Sequence, residues 1–171
     1  MTRSVLIAVA SAILAAACGS SDVAPDARTE QNATTCAPAE AVALLPASAP
    51  AVSFASDVLP ILVTSCGFGA CHGAVRGSNV FLGAKDSAND AKAVRARLVD
   101  KPSKQSASTP YVTPANPARS YLYLKLTGDL CGLEDCLGGS CGQTMPRGGD
   151  KLDAASLDTV RTWILQGATD S

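Results

Sequence analysis

The stretch Cys66-Gly67-Phe68-Gly69-Ala70-Cys71-His72 carries two thiols followed directly by the single imidazole of the chain. Four residues separate the two cysteines, so the chain between them must bulge as a loop. Gly67 and Gly69 favour such a loop, because glycine adopts backbone conformations with positive φ that other residues avoid. We therefore expect the helix that precedes this stretch to run into Cys66 and to end at the first glycine.

The segment before the cysteines has the pattern of an amphipathic helix. Ser56 or Asp57 is predicted to cap it, and Pro60 is tolerated in its first turn. Its apolar face comprises Phe54, Val58, Ile61 and Leu62. A weaker pattern predicts a second helix over residues 89–99, with one apolar side made of Ala91, Val94 and Leu98.

Two further helices are predicted in the second half of the chain. Asn116 and Pro117 form a strong helix start, which is followed by Tyr121, Leu122, Leu124 and Leu126. Asp153 is expected to cap the last helix and Gly167 to end it, with an inner face made of Leu157, Val160 and Ile164. Trp163 is expected to pack against the first helix. No strand is predicted, so the fold class is mainly α with long loops.

The N-terminal residues have the pattern of an export signal. Arg3 supplies a positive start, and the uncharged run that follows is too short to span a bilayer. The sequence Leu14-Ala15-Ala16-Ala17-Cys18 resembles the lipobox of bacterial lipoproteins. That resemblance implies a signal peptide over residues 1–17, acylation of Cys18 and a disordered tether over residues 18–51, on the periplasmic or cell-surface side of a membrane. Simple cleavage after Ala17, which leaves Cys18 as a free thiol, is the alternative.

Two thiols ahead of an imidazole stand in the order that bonds both vinyl groups of a haem while the histidine reaches the iron. In this setting the chain resembles a cytochrome c domain of the C-x4-C-H type found in exported bacterial proteins. The resemblance extends over most of residues 52–171 and is carried, besides the cysteine motif, by residues 54–62, 114–123, 144–149 and 160–168. It implies a small helical domain wrapped around one covalent haem c, held by Cys66 and Cys71.

Composition restricts the axial ligands of such a haem. The chain has one histidine and two methionines, and Met1 leaves with the signal. If the iron has a His and a Met ligand, they are His72 and Met145. A thioether favours ferrous iron, and two protein ligands leave no open position. Electron transfer to redox protein partners is therefore expected rather than an enzymatic reaction.

Seven cysteines in an exported chain suggest disulfides. One lipidated and two haem-bound cysteines would leave an even set, Cys36, Cys131, Cys136 and Cys141, which permits two disulfides in three connectivities. We expect Cys36 to pin the tether to the loop that bears Met145, and the second disulfide to stiffen that loop. No histidine follows Cys136 or Cys141, so a second c-type haem is excluded on ordinary ligation.

Other side chains have candidate roles around the haem. Its propionates need hydrogen-bond donors, for which the candidates are Tyr111, Tyr121, Tyr123 and Arg119. In cytochromes c a backbone carbonyl of a proline-containing loop orients the histidine, which implies a loop at Pro114 or Pro117. Trp163 has a second possible place, against the haem edge.

Several alternatives stay open at this point. Cys66 and Cys71 can form a disulfide with His72 as a bystander, or His72 can bind zinc with thiolates from Cys131, Cys136 and Cys141. A haem sensor or weak peroxidase with a dissociable Met145 is a further function, and so is a cofactor-free surface lipoprotein stabilised by disulfides. Nucleic acid is not expected as a partner, because the net charge of −1 becomes about −2 once Arg3 is removed, and no basic block occurs.

Overall fold

A computed structural model describes residues 49–77, 79–130, 133 and 135–170, all within the unit formed by residues 36–171. The predicted signal peptide, Cys18, Cys36 and nearly all of the tether lie outside the described residues. The mainly α class is confirmed: helices account for the regular structure, and the described part of the chain has only isolated β-bridges in place of strands. None of the helices in that part is long and apolar enough to cross a membrane.

The first helix begins earlier than the sequence predicted. A π-helical turn, Phe54–Val58, leads directly into helix α1, Leu59–Cys66. Ser53 is the cap, because its Oγ accepts from the Ser56 N–H at 3.4 Å, while the Asp57 carboxylate accepts from the Ser53 N–H at 2.7 Å. The prediction of Ser56 or Asp57 as the cap was therefore wrong. The predicted end at Cys66, with Gly67 as the C-cap, is confirmed.

The last helix begins where the sequence predicted, and the other two α-helices begin later. Helix α2, Ala91–Ala96, begins later because Asn89 uses its side chain to bond the backbone of Ala84 in both directions, at 2.8 and 2.9 Å. Asn116 caps a 3₁₀ turn, Pro117–Arg119, which precedes helix α3, Tyr121–Thr127. Asp153 caps helix α4, Ala154–Leu165, through a 2.8 Å bond from the Ser156 N–H. A second 3₁₀ turn spans Leu137–Gly139.

The core joins the first and last helices. Phe54 and Trp163 are buried, and their ring centroids lie 5.0 Å apart at an interplanar angle of 40°. The indole Nε1–H donates to the Thr169 carbonyl at 3.0 Å, so burial leaves no polar atom of the ring without a bond. The expected packing of Trp163 against the first helix is confirmed. The surrounding buried side chains are Val58, Leu62, Val160 and Ile164.

We predict that Phe54→Ala lowers the free energy of unfolding by about 3–5 kcal/mol, because it removes a fully buried ring and leaves a cavity beside Trp163. Denaturant unfolding measures the loss. Phe68→Ala is the matched control, since the Phe68 side chain is 46% exposed. We expect it to change stability by no more than about 1 kcal/mol. Equal losses in both variants would contradict the central position of Phe54.

Candidate functional site

The Cys66 to His72 stretch folds as a closed turn at the end of α1. The His72 N–H donates to the Cys66 carbonyl at 3.0 Å, which joins the two ends of the stretch. Inside it, the N–H groups of Cys71 and Gly73 both donate to the Phe68 carbonyl, at 2.8 and 3.0 Å. These bonds fix the position of both thiols relative to the imidazole.

Neither glycine in this stretch has the predicted positive φ, and only Gly67 is needed for close packing. Gly67 has φ −78°, and Gly69 is not among the residues with positive φ. A Cβ at Gly67 would lie 2.7 Å from the Gly83 carbonyl oxygen and 3.0 Å from the Lys85 nitrogen, whereas one at Gly69 would meet nothing within 4 Å. Backbone therefore packs on backbone at Gly67, and the predicted reason for both glycines was wrong.

The segment formed by residues 80–85 braces the turn. The Leu82 N–H donates to the His72 carbonyl at 3.0 Å, and the Lys85 N–H donates to the Gly67 carbonyl at 2.8 Å. His72 Nδ1 lies 2.8 Å from the Val80 carbonyl oxygen. Because a carbonyl only accepts, Nδ1 carries the proton, and in the neutral ring Nε2 then carries the lone pair. The bond to His72 comes from Val80, so the prediction of a loop at Pro114 or Pro117 was wrong.

Two cavities meet at this turn. One of about 240 Å³ and one of about 330 Å³ are both bordered by Cys66, His72 and Met145. The first has an apolar wall of Val80, Leu82, Leu122 and Leu126, and a polar end of Asn79, Gln105, Tyr111, Tyr121 and Lys125. The second is bordered by Cys71 and by the loop that follows Met145. All four side chains that the sequence singled out for one site thus border the second cavity, and three of them, Cys66, His72 and Met145, also border the first.

Met145 is positioned by helix α3. Its N–H donates to the Lys125 carbonyl at 2.8 Å, near the end of that helix. The preceding Thr144 packs against Gly128, which caps α3 with φ +84° and would place a Cβ 2.9 Å from the Thr144 Oγ1. Glycine is therefore required there both by its positive φ and by the close approach of the loop.

Cys66 and Cys71 are both free thiols, so the structure does not form the alternative disulfide between them. Cys66 is buried and Cys71 is exposed. Burial, with a smaller contribution from neighbouring Cys71, raises the pKa of the Cys66 thiol to about 11. Cys66 is therefore a neutral thiol at pH 7, as an apolar cavity wall requires.

The loop that precedes Met145 contains a disulfide between Cys136 and Cys141. This agrees with the expected bridge within the loop, whereas Cys36 and Cys131 lie outside the described residues. The zinc alternative loses two of its thiolates, because disulfide sulfurs do not act as thiolate ligands. Among the described residues no group of three or more His, Cys, Asp or Glu side chains is placed to hold a metal ion.

The polar end of the first cavity includes two of the four predicted propionate donors. Tyr111 and Tyr121 border it, whereas Tyr123 and Arg119 border neither cavity. The Tyr121 hydroxyl donates to the Cys141 carbonyl at 2.7 Å, and burial raises the pKa of this tyrosine to about 12.

Sequence reasoning missed Lys125, which is 6% exposed and borders the same cavity. A single lysine within the apolar run Tyr121-Leu122-Tyr123-Leu124-Lys125-Leu126 was the signal that could have identified it.

Asp135 joins the disulfide loop to the segment of residues 103–109. Its carboxylate accepts from the Ser106 hydroxyl and, at 2.7 Å, from the Ser108 N–H. These bonds, with that of Ser106 the strongest, lower the pKa of Asp135 to about 2 from its ordinary 3.8. Ser106 is completely buried and also bonds Thr109 at 3.0 Å. The exposed carboxylate therefore connects the loop to a buried hydroxyl network.

We predict that Gly67→Ala lowers the free energy of unfolding by about 1–3 kcal/mol, because the new methyl group meets backbone atoms that cannot move independently. Gly69→Ala has open space at its Cβ and is the matched control, expected to change stability by no more than about 0.5 kcal/mol. Denaturant unfolding compares the two variants. A stable Gly67→Ala variant would contradict the close approach of residues 83–85.

We predict that Asp135→Asn destabilises the protein in a pH-dependent way. The folded-state pKa lies below the ordinary value, so the contribution of this carboxylate is present above about pH 4 and is lost as the pH falls towards about 2. The difference in urea midpoint between wild type and variant should therefore shrink over that range. Asp150→Asn, at an exposed position, is the control. A difference that stays constant from pH 7 to pH 2 would count against the role of the charge.

The site has two thiols and an imidazole on one turn. Helix α3 holds the thioether of Met145, which stands 73 positions after His72 in the sequence, at the same cavity. An apolar wall and a polar end complete it. Comparison of the chain with protein-family models, with curated proteins and with solved structures finds no match.

Proposed function

We propose that this chain carries one covalent haem c and passes single electrons between redox proteins. One observation carries the proposal: His72 and Met145, which are distant in sequence, border the same two cavities together with Cys66. Cys66 and Cys71 would hold the haem through thioether bonds, and His72 Nε2 and the Met145 sulfur would be its axial ligands. The helical domain of residues 52–171 would then be cytochrome c-like.

The residues at the site fit such a group in their chemistry. Both cysteines are unbridged thiols, the form needed to add to vinyl groups. The apolar wall of the first cavity suits the face of a porphyrin, and the polar end suits its two carboxylates. A cofactor-free disulfide protein would have no need for this combination of imidazole, thioether and unbridged thiols along one cavity.

Bound haem supplies a one-electron change of oxidation state. The side chains of the protein would hold the iron and would set the equilibrium between its oxidised and reduced states. The bond from His72 Nδ1 to the Val80 carbonyl fixes the ring tautomer and makes the imidazole a better ligand. A Met thioether and an apolar wall both favour the reduced state. If His72 and Met145 both bound the iron, it would have no open position for a substrate, which favours an electron carrier over an enzyme.

The N-terminal pattern extends this proposal to the location of the protein. Export through residues 1–17, acylation at Cys18 and a tether over residues 18–51 would place the domain beside a membrane surface, where it would meet membrane-associated redox proteins. The near-neutral net charge of the chain gives no reason to invoke nucleic acid as a partner.

Absorption spectra of the full chain, produced together with a haem-attachment system, test the proposal. We expect a pyridine adduct with a c-type band that survives acid extraction, since thioether bonds are covalent. We predict that Met145→Ala keeps this band yet binds carbon monoxide at least tenfold more readily, because it opens one axial position.

Leu152→Ala is the control for Met145→Ala, since Leu152 packs against the core and borders neither cavity. A wild-type protein without a covalent haem band would refute the proposed function. Carbon monoxide binding that is equally strong in wild type and Met145→Ala would refute Met145 as a stable iron ligand, and would favour the haem sensor or weak peroxidase with a dissociable Met145 instead.

A further inference from the structure

Lys125 is a buried lysine to which the proposed function assigns no role. It lies in α3 between two buried leucines and is 6% exposed. Its Nζ donates to the Cys141 carbonyl at 3.0 Å and lies 5.8 Å from the centroid of the Tyr121 ring. Neither of the ion pairs among the described residues involves it. One carbonyl bond uses one of three ammonium donors, and a buried charge without a counter-ion is costly.

The cavity that Lys125 borders is complementary to an anion. Among the described residues that line it there is no Asp or Glu, and Lys125 is the only lysine or arginine. The ionisable groups that share the cavity with it are Cys66, His72, Tyr111 and Tyr121. Around the ammonium, the hydroxyl of Tyr121 and the side-chain amide of Gln105 lie 2.9 Å apart, so hydrogen-bonding groups cluster beside the charge. The cavity is also lined by Val80, Leu82, Leu122 and Leu126, which favours an amphipathic occupant over a small hydrated anion.

We propose that the Lys125 ammonium is the counter-ion of one haem propionate, and that this pairing raises the reduction potential of the protein. The inference rests on the proposed function, under which the haem brings a carboxylate into this cavity. An unpaired propionate is a negative charge that stabilises ferric iron. Its neutralisation by Lys125 therefore favours the ferrous state, in the same direction as the Met145 ligand.

Lys125 contacts both the cavity and the backbone of Met145. The backbone carbonyl of Lys125 accepts from the Met145 N–H, while its side chain extends to the polar end of the same cavity. Substitution of the side chain leaves that carbonyl in place. The effect of the charge can therefore be measured separately from the support that α3 gives to Met145.

The test compares four holoproteins at pH 7: wild type, Lys125→Met, Lys125→Arg and Lys92→Met. Lys125→Met removes the charge and keeps the length of the side chain, whereas Lys125→Arg keeps the charge. Lys92→Met is the matched control, because it makes the same change at an exposed position of α2. Spectroelectrochemical titration gives the reduction equilibrium, and infrared redox-difference spectra report the protonation and pairing of the propionates.

We expect Lys125→Met to shift the reduction equilibrium towards the oxidised form by about tenfold, the scale of one charge acting over roughly 10 Å of protein. Its difference spectrum should gain a protonated carboxyl band that wild type, Lys125→Arg and Lys92→Met lack. If Lys125→Met does not fold, Lys125→Gln takes its place, since it also removes the charge but keeps a donor.

The outcomes separate the two proposals. A wild-type chain without covalent haem overturns the proposed function. Suppose that all variants carry a full complement of haem, and that Lys125→Met has the same reduction potential and infrared spectrum as Lys92→Met. This outcome overturns the pairing of Lys125 with a propionate and leaves the proposed function intact. A lowered potential in both Lys125→Met and Lys125→Arg, without a new carboxyl band, also overturns it, because the effect would then follow from packing and not from charge.

Discussion

The hydrogen bond between His72 Nδ1 and the Val80 carbonyl, at 2.8 Å, is the constraint around which the site is organised. It requires residues 80–85 to lie along the cysteine turn, and that arrangement in turn requires Gly67 to lack a side chain. The turn, the imidazole and the bracing segment therefore form one unit in which each backbone bond supports the others. Such a unit holds the imidazole orientation before any ligand binds, which lowers the entropic cost of binding.

Helix α3 supplies the opposite side of the site in a comparable way. Its backbone anchors Met145, its side chains form part of the apolar wall, and Tyr121 and Lys125 attach the disulfide loop through one carbonyl of Cys141. Main-chain bonds thus position both proposed iron ligands, one from residues 80–85 and one from α3. Phe54 and Trp163 border neither cavity, but they belong to the same buried cluster as Cys66, Leu82, Leu122 and Leu126, which do.

Features encoded by neighbouring residues could be predicted from the sequence. The end of α1 at Cys66, the Asp153 cap and the start at Asn116 depend on side chains that act within one helical turn. The Val80 carbonyl could not be predicted, because every residue has a carbonyl and only packing selects one. The role of Gly67 was missed for a similar reason, since the atoms that exclude its side chain, besides the Val63 carbonyl oxygen, belong to Gly83 and Lys85. The first cap was misplaced because a π-helical turn extended the helix towards Ser53.

The unequal burial of Cys66 and Cys71 bears on how the chain matures. If the chain is exported and carries haem as proposed, it would have to keep these two thiols reduced in an oxidising compartment while Cys136 and Cys141 become oxidised. Disulfide exchange proceeds through a thiolate, and the raised pKa of Cys66 makes its thiolate scarce at neutral pH. The fold alone therefore protects Cys66 from exchange with the nearby disulfide. Under the proposed function, Cys71, which is exposed, would be the position at which maturation depends on a reductant supplied by the cell.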